Sequence, residues 1–212
     1  MNTANRNDPL QTLRVVFIFT AFAFLTITSC GKRPAETRRV DTPELPTANG
    51  FAYPVGEKEF LTEAKDSKDN WFNAQDFEEN DHLGEDWNAN SGGDSDCGMN
   101  VFAAADGSIT YAGDAGAGWG NVIIITHRLP NGKKVQTLYG HLETILRSSG
   151  KVSKRQKIGT IGNANGKYLC HLHFEVREET CFFWDKVFNG YSRDRKGWLD
   201  PSEFIDKHRP LP

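Results

Sequence analysis

The sequence has little net charge, no visible repeats and few cysteines. Its 25 Lys and Arg against 28 Asp and Glu give a formal net charge of −3, and its pI is near 6.1. Such a chain lacks the basic surface of nucleic-acid-binding domains, so we expect no nucleic-acid partner. No internal repeat or low-complexity tract is present. Its four cysteines include no CxxC pair, which disfavours a thiolate zinc site.

Long apolar runs are also lacking, apart from residues 15–27 near the N-terminus. This run is too short to span a bilayer comfortably and has the length of a signal-peptide hydrophobic region. It ends in Ile27-Thr28-Ser29-Cys30, which resembles the bacterial lipobox, where the cysteine is diacylated and becomes the mature N-terminus. The sequence therefore predicts a lipoprotein signal peptide over residues 1–29 and lipidation at Cys30. The alternatives are an ordinary secretory signal and a marginal membrane anchor.

Residues 30–50 are polar and rich in proline, with no apolar periodicity. They are typical of a flexible tether, which would hold residues 51–212 at a membrane through the acyl chains on Cys30. The remaining length suits one well-buried domain and not two. Gly31 stands where an aspartate would often signal retention in the inner membrane. We therefore expect a lipid-anchored protein of the bacterial cell envelope, placed in a Gram-negative host on the outer membrane facing the periplasm.

Three cysteines lie beyond the predicted lipid site: Cys97, Cys170 and Cys181. An exported chain can form disulfides, and three cysteines allow one bridge and leave one thiol over. The sequence does not favour any of the three pairs.

Short runs rich in β-branched and aromatic residues dominate from residue 100 onwards. The predicted strands cover residues 100–104, 108–112, 121–127, 134–138, 157–161 and 171–177. Ala105-Asp106-Gly107 predicts a hairpin turn between the first two strands, and NVIIITH (121–127) predicts a buried central strand. Residues 56–80 are charged and ambiguous, with room for a short helix. The pattern predicts a mainly β, antiparallel domain with few short helices.

Four of the six histidines fall into three short motifs. The motifs are His82-Leu83-Gly84-Glu85-Asp86, Leu138-Tyr139-Gly140-His141-Leu142 and Cys170-His171-Leu172-His173-Phe174. His171 and His173 are two residues apart in a strand-like run, so their side chains should share one face while Leu172 points into the core. The glycine in the first motif and the turn-rich sequence after it favour a loop there.

The first and third motifs together offer two imidazoles and one carboxylate. Three such protein ligands leave a fourth zinc position open for water, as catalytic zinc sites require. The middle motif adds another imidazole. In this order, and within one small domain, the three motifs indicate a zinc hydrolase.

At these motifs the chain resembles the lysostaphin/LytM-type zinc endopeptidases, which cut peptidoglycan cross-links. The matching stretches are HLGEDW (82–87), VFAAADGSITYAG (101–113), GWGNVIIITH (118–127), TLYGHL (137–142), KIGTIGNANG (157–166) and HLHFEVR (171–177), followed by GWLDP (197–201). The resemblance covers the whole expected domain, and the spacing of its catalytic motifs is highly specific. It implies an antiparallel β-sheet peptidase domain of the duplicated-hybrid-motif kind, with a groove whose floor carries one zinc ion.

The family's HxxxD motif implies that His82 and Asp86 are zinc ligands, and the second histidine of its HxH motif implies His173 as the third. His141 and His171 are then the unliganded catalytic histidines beside the metal. A zinc ion would polarise the scissile carbonyl and activate its bound water. One imidazole would move the proton, and a protonated imidazole would stabilise the oxyanion. Which of His141 and His171 is the general base stays open.

The function implied is DD-endopeptidase-like hydrolysis of peptide bonds in peptidoglycan stems or cross-links. One alternative is a non-catalytic cell-wall lipoprotein on the same scaffold that activates another hydrolase. That alternative predicts a damaged ligand set, and none of the five functional positions is altered. A second alternative is a secreted peptidase that acts on proteins. No particular oligomeric state is predicted.

Two segments depart from the family pattern. Lys167-Tyr168-Leu169-Cys170 precedes HLHF, where small residues or proline are usual, so the groove wall should differ. Residues 88–98 form a longer segment than the shortest members carry.

Several other residues have ordinary structural interpretations. His127 ends a predicted buried strand and is interpreted as a structural residue with satisfied hydrogen bonds. Glu85 alternates away from its neighbours and is predicted at the surface. Trp119, Asn121 and Tyr139 could line the groove or pack in the core.

Overall fold

Most of the regular secondary structure in the computed structural model, which describes residues 44–56, 71–178 and 189–209, is β-strand. The expected signal peptide, Cys30 and Cys181 lie outside the described residues. The strands are β1 (Trp71–Gln75), β2 (Glu85–Ala89), β3 (Asn100–Phe102), β4 (Gly107–Asp114), β5 (Asn121–Arg128), β6 (Lys134–Ile145), β7 (Gly150–Val152), β8 (Lys157–Ile161), β9 (Leu172–Glu178) and β10 (Trp198–Leu199). A 3-10 turn, Glu79–Asp81, precedes β2, and the helix α1 (Pro201–Lys207) follows β10. No helix in the described part of the chain is long and apolar enough to cross a membrane.

These strands form an antiparallel sheet with a side branch. The main order is β1-β2-β9-β6-β5-β4-β7, and each neighbouring pair in it is antiparallel. Strand β10 pairs with β9, and β3 pairs with β8, which pairs in turn with β6. The prediction of a mainly β, antiparallel domain with few helices is confirmed.

The long strand β6 changes partner along its length. It pairs with β9 as far as Gly140, opposite His173, and from Leu142 onwards it pairs with β8. His141 lies at the change and has a φ of 62°, in the left-handed region. Residues other than glycine adopt this backbone conformation at a cost in free energy, and such strain concentrates at functional sites. The change of partner thus sets His141 apart from the regular ladder.

Strand β5 supplies both faces of the sheet with apolar side chains. Ile123 and Ile125 pack in the main core, whereas Val122 and Ile124 pack with Leu138 on the opposite face. Successive side chains of a strand point to opposite faces, so a continuous apolar run requires burial on both. The predicted buried strand at NVIIITH is confirmed.

The described chain ahead of β1 packs on the sheet and on α1. Ala48 and Phe51 are both buried. The Ala48 N–H donates to the Arg128 carbonyl at 2.8 Å, and the Phe51 N–H donates to the His208 carbonyl at 3.0 Å. Packing therefore begins inside the segment that the sequence suggests as a tether.

The hairpin predicted at Ala105-Asp106-Gly107 is wrong. Strand β3 pairs with β8, and β4 pairs with β5 and β7. Ala103–Ala105 is fully buried, so the chain crosses the core here instead of reversing at the surface. Asp106 serves as an acceptor, with Oδ1 bonded to the Lys154 N–H at 2.9 Å.

The loop predicted for the HxxxD motif is wrong for its second half. Asp86 lies on β2, which pairs with β1 on one side and β9 on the other. Only His82 and its two successors precede the strand. Strand β1 lies in the charged region 56–80, for which the sequence left room for a short helix; residues 57–70 of that region lie outside the described residues.

Candidate metal centre

Strand register places the first and third histidine motifs side by side. Asp86 on β2 is the direct cross-strand partner of His173 on β9. Gly84 permits the close approach, because a Cβ there would lie 2.5 Å from the Phe174 carbonyl oxygen and clash. His82 is held just before β2 by a bridge to Tyr191. The side chains of His82, Asp86 and His173 converge as a result.

Three atoms of these side chains have the spacing of metal ligands. His173 Nδ1 lies 3.0 Å from His82 Nε2 and 3.0 Å from Asp86 Oδ1. His82 Nε2 lies 3.4 Å from the same Asp86 oxygen. Ligands about 2 Å from a tetrahedral zinc are roughly 3.3 Å apart, so the spacing suits one zinc ion.

The outward-facing ring nitrogens fix where the imidazole protons lie. His173 Nε2 is 3.1 Å from Glu175 Oε1, and His82 Nδ1 is 3.3 Å from the Asp76 carbonyl oxygen. Because a carbonyl or carboxylate oxygen accepts, each of these nitrogens donates its proton outward, and in the neutral imidazoles the other ring nitrogen then turns a lone pair towards Asp86. Two lone pairs and a carboxylate then face one another, and a divalent cation satisfies all three. The donor set fits zinc.

Neighbouring groups shift the pKa values of His173 and Asp86 in opposite directions, and each shift favours the charged form. Burial lowers the pKa of His173, but hydrogen bonds with Asp86 and Glu175 outweigh burial and raise that pKa to about 9. Burial raises the pKa of Asp86, but hydrogen bonds with His173 and His82 outweigh it and hold that pKa well below its usual value. The site therefore attracts positive charge, whether as a proton or as a metal ion.

Glu175 is a site residue that the motif reasoning missed. It is fully buried; its Oε2 accepts from Trp198 Nε1 at 3.1 Å and lies 3.7 Å from Arg177 Nε. A carboxylate held this way fixes the ring orientation and tautomer of the histidine that it contacts, here His173. The sequence did contain a signal, since Glu175 follows His173 by two residues and therefore shares its face of β9.

His141 and His171 lie together beside the three converging side chains. Their ring centres are 4.7 Å apart, and His171 Nε2 is 3.7 Å from Asp86 Oδ2. His141 Nδ1 donates to the Trp119 carbonyl at 3.1 Å, which leaves its Nε2 as the basic nitrogen. Burial, reinforced by the nearby His173 and His171, lowers the pKa of His141 to about 3. His141 is therefore a neutral imidazole at neutral pH.

Four of these five side chains, all except the fully buried His82, line one groove of about 390 Å³. Its lining consists of Gln75, Asp86, Ala117, Gly118, Trp119, His141, Tyr168, His171, His173, Asn189, Gly190 and Tyr191. Trp119 thus lines the groove. Tyr139 does not: it is buried in the core, and its hydroxyl accepts from the Ala104 N–H at 2.8 Å. Asn121 lies outside the lining, and its amide donates to the Glu143 carbonyl at 3.1 Å.

His127 and Glu85 are buried polar residues with structural roles. His127 is bonded to the Asp106 carbonyl and to the Thr137 hydroxyl, so its structural interpretation is confirmed. The surface prediction for Glu85 is wrong, because its side chain is fully buried. The Glu85 carboxylate accepts from the Ser202 hydroxyl at 2.8 Å and so fastens α1 to β2. Burial does alternate along β2, but Glu85 shares the buried face of Trp87 and Ala89, opposite the face that carries Asp86.

The disulfide that the sequence left open joins Cys97 to Cys170. A second group of potential ligands, Asp94 with these two cysteines, contains their oxidised sulfurs. A disulfide offers no thiolate, so this group is not a metal site.

Comparison with known proteins identifies the family. The model of peptidase family M23 matches residues 80–184. Lipoprotein NlpD of Yersinia enterocolitica is 41% identical over 81 residues, which are 38% of this chain and 78% of that protein. The chain belongs to peptidase family M23. The match contains all five predicted site residues.

Two other M23 relatives carry different names at the same identity. The murein hydrolase activator NlpD of Escherichia coli is 41% identical over 81 residues, 38% of this chain and 20% of the relative. The DD-carboxypeptidase/endopeptidase Mpg of Neisseria meningitidis is 41% identical over 80 residues, 38% of this chain and 17% of the relative. The matched part thus covers about a fifth of these relatives' length.

A solved structure supports the fold assignment. A chain of the SpoIIQ–SpoIIIAH pore-forming complex aligns with a TM-score of 0.52 at 20% identity, covering 76% of this chain and 93% of the other. At that identity the likeness concerns the fold alone.

Proposed function

We propose that this M23 protein is a zinc-dependent endopeptidase that hydrolyses peptide bonds in peptidoglycan stems or cross-links. One zinc ion per chain would be held by His82, Asp86 and His173. The observation that supports this most is the completeness of the site. Three ligand atoms have zinc spacing, and the two further histidines, His141 and His171, line the same groove.

The mechanism assigns one task to each group of side chains. Bound zinc supplies Lewis acidity, which polarises the scissile carbonyl and lowers the pKa of the attacking water. Glu175 and the Asp76 carbonyl hold the two ligand rings with their lone pairs inward. One of His141 and His171 accepts the proton of the water at Nε2 and delivers it to the leaving amine, while the other stabilises the oxyanion.

The groove walls suit a peptide substrate. Trp119, Tyr168 and Tyr191 present ring surfaces to the groove, and Gln75 and Asn189 add amide groups that can bond a peptide backbone. The Tyr191 hydroxyl donates to Gln75 Oε1 at 2.9 Å, and this hydrogen bond links two residues of the groove wall. A cell-wall peptide stem, with few aromatic groups of its own, would lie against these walls in an extended conformation.

The proposed layout places this domain on a lipid anchor. Residues 1–29 would be the signal peptide, Cys30 the lipidated N-terminus of a tether to residue 50, and residues 51–212 the catalytic domain. The relative named lipoprotein NlpD supports a place in the cell envelope. Within the envelope we propose the outer membrane, with the domain facing peptidoglycan in the periplasm.

A second candidate function is activation of another peptidoglycan hydrolase. It is favoured by the relative named murein hydrolase activator, which is as similar as the named endopeptidase. The intact ligand set supports catalysis instead, since an activator would need no open zinc site.

The deciding experiment uses the full-length chain, loaded with zinc in detergent and incubated with defined cross-linked muropeptides. Mass spectrometry should show products of peptide-bond hydrolysis, abolished by a strong chelator and restored by zinc. A zinc-loaded protein that cuts no muropeptide, yet stimulates a separate amidase, would establish the activator function instead.

A further inference from the structure

The two segments at which the sequence departs from its family pattern are joined covalently. Cys97, in the long segment 88–98, forms a disulfide with Cys170, the residue directly before His171. Cys170 is buried, whereas Cys97 is exposed. The bridge thus connects the loop after β2 to the entrance of the HxH motif.

Cys170 is held by hydrogen bonds to the same loop. Its N–H donates to Asp94 Oδ1 at 2.9 Å, and its carbonyl accepts from Asn88 Nδ2 at 3.1 Å. Asp96 braces the loop from within by accepting from the Ala89 N–H at 3.3 Å. The main chain of Cys170 is therefore fixed on both sides, and the disulfide adds a third point of attachment.

His171 lies next to this attachment and outside the regular ladder. Strand β9 begins at Leu172, and the His171 N–H donates to the Gly162 carbonyl at 3.2 Å in an isolated bridge. The His171 ring is oriented by Nδ1, which donates to the Leu169 carbonyl at 2.9 Å. Leu169 is 62% exposed, so the orientation of this ring depends on how well its exposed neighbour is anchored.

The metal-binding side chains are anchored differently. His173 is paired with Asp86 on β2 and with Gly140 on β6. Its ring is fixed by Glu175, and His82 is fixed by its bridge to Tyr191. These contacts do not pass through the disulfide.

We propose that the Cys97–Cys170 disulfide is a positioning clamp that orients His171 in the groove while leaving the zinc ligands independent of it. The proposal rests on the proposed endopeptidase function for its catalytic readout. Breaking the bridge releases residues 167–171 from a covalent anchor, and His171 loses its fixed place beside Asp86. A displacement of about 1 Å can cost on the order of 100-fold in rate, so kcat should fall while zinc stays bound.

The test uses the full chain with Cys30→Ala and Cys181→Ala, which leaves Cys97 and Cys170 as its cysteines. Glutathione reduces the bridge: the S–S bond breaks, two protein thiols form, and two glutathione molecules become one glutathione disulfide. A third sample has the two reduced thiols bridged by a one-carbon dihalide, which restores a covalent link without a disulfide. Alkylation and mass spectrometry establish the state of each sample.

Four quantities are measured on each sample, well below its unfolding temperature: zinc content, kcat, KM and amide hydrogen exchange. In the reduced sample kcat should fall about 10- to 100-fold with about one zinc per chain retained. Exchange should accelerate in residues 94–98 and 167–171 and stay slow within β9. The one-carbon bridge should restore both kcat and slow exchange.

Three outcomes would overturn the clamp. A reduced sample that keeps kcat within about twofold shows that His171 needs no clamp. Loss of zinc on reduction shows that the bridge supports the metal ligands themselves. If the oxidised chain cuts no muropeptide, the proposed function fails, and amide hydrogen exchange alone tests the clamp. Faster exchange confined to residues 94–98 and 167–171 on reduction supports the clamp, and unchanged or uniformly faster exchange overturns it.

Discussion

Asp86 and His173 face each other across adjacent strands, and their side chains meet with Oδ1 3.0 Å from Nδ1. Two of the three proposed ligands are thus placed by a hydrogen-bonded ladder, and His82 comes from the segment just ahead of it. Sites built on strands hold their geometry more closely than sites built on loops. The geometry of the proposed metal site is therefore a property of the β2–β9 pairing.

Replacing Asp86 should remove the metal. Asp86→Ala deletes the anionic ligand of a dication, so zinc content should fall from about one per chain to a small fraction, and activity should vanish. Elemental analysis and muropeptide cleavage on the same preparation measure both. Glu203→Ala removes an exposed carboxylate on α1, outside the groove, and as the matched control it should change neither. Full zinc occupancy in Asp86→Ala would remove Asp86 from the ligand set.

Replacing Glu175 should weaken zinc binding without touching a ligand. Glu175→Gln keeps the shape of the side chain but loses the charge that orients His173, and zinc affinity should fall about 10- to 100-fold. Competition with a chromophoric chelator measures this. Glu175→Ala should also lower the free energy of unfolding by about 2–5 kcal/mol, because Arg177 then loses a buried carboxylate partner. Unchanged zinc affinity in both variants would show that the contact is structural only.

Replacing His141 should separate metal binding from chemistry. His141→Ala should keep zinc nearly stoichiometric while cleavage falls by about 10²–10⁴-fold, the usual size of a general acid–base contribution. His171→Ala should behave alike. Zinc loss in His141→Ala, or full activity, would contradict this assignment.

The backbone at His141 provides a control for that variant. Because His141 has a positive φ, His141→Gly should be about 1 kcal/mol more stable than His141→Ala, since glycine adopts this conformation without strain. Urea unfolding measures the difference. Both variants should be equally inactive, which would show that the side chain, and not the stability of the strand, determines activity.

Removing the proposed lipid site should change location. Cys30→Ala should release the protein from membrane fractions or block its processing, because the polar tether has no apolar surface with which to bind a bilayer. Fractionation and intact mass of the wild type measure this. Unchanged membrane partition, together with no acyl mass on the wild type, would rule out lipidation at this cysteine.

Acid should destabilise the fold through His127. Burial lowers the pKa of His127 from 6.5 to about 4. Between those values the unfolded chain binds a proton that the folded chain does not, so stability is complete above about pH 6.5 and falls as the pH drops towards 4. The contribution is about 3 kcal/mol at 1.36 kcal/mol per pKa unit. His127→Gln should show a shallower loss of unfolding free energy between pH 7 and pH 4.5, and an unchanged slope would contradict the assignment.

The sequence predicted the features that local patterns determine. β5 was recognised because a run of β-branched apolar residues suits a strand buried on both faces. The five site residues were predicted from the motifs and the family resemblance; the structure places four of them in the groove lining and His82 directly behind it, 3.0 Å from His173. Their roles as ligands and proton carriers stay predictions.

The predictions that failed concern features that depend on contacts between distant parts of the chain. The segment Ala105-Asp106-Gly107 has the residue types of a hairpin turn, but the chain before it, Ala103 and Ala104, is buried in the core and does not pair with β4. The surface prediction for Glu85 failed because alternation along one strand does not reveal which of its two faces packs against the core and α1. The pairing of Cys97 with Cys170 spans 73 residues, and no local pattern specifies it.

The attachment of the segment before β1 has a mechanical consequence. Phe51 packs edge-on against Phe204 of α1, with ring centres 5.0 Å apart, and Thr47 forms a bridge with Arg128 at the end of β5. Tension arriving from residues before 44 is therefore borne first by these contacts, where backbone hydrogen bonds and aromatic packing would have to break together. The strands that carry Asp86 and His173 come later in the chain, so their own backbone would be stretched only after the anchoring segment had been peeled away.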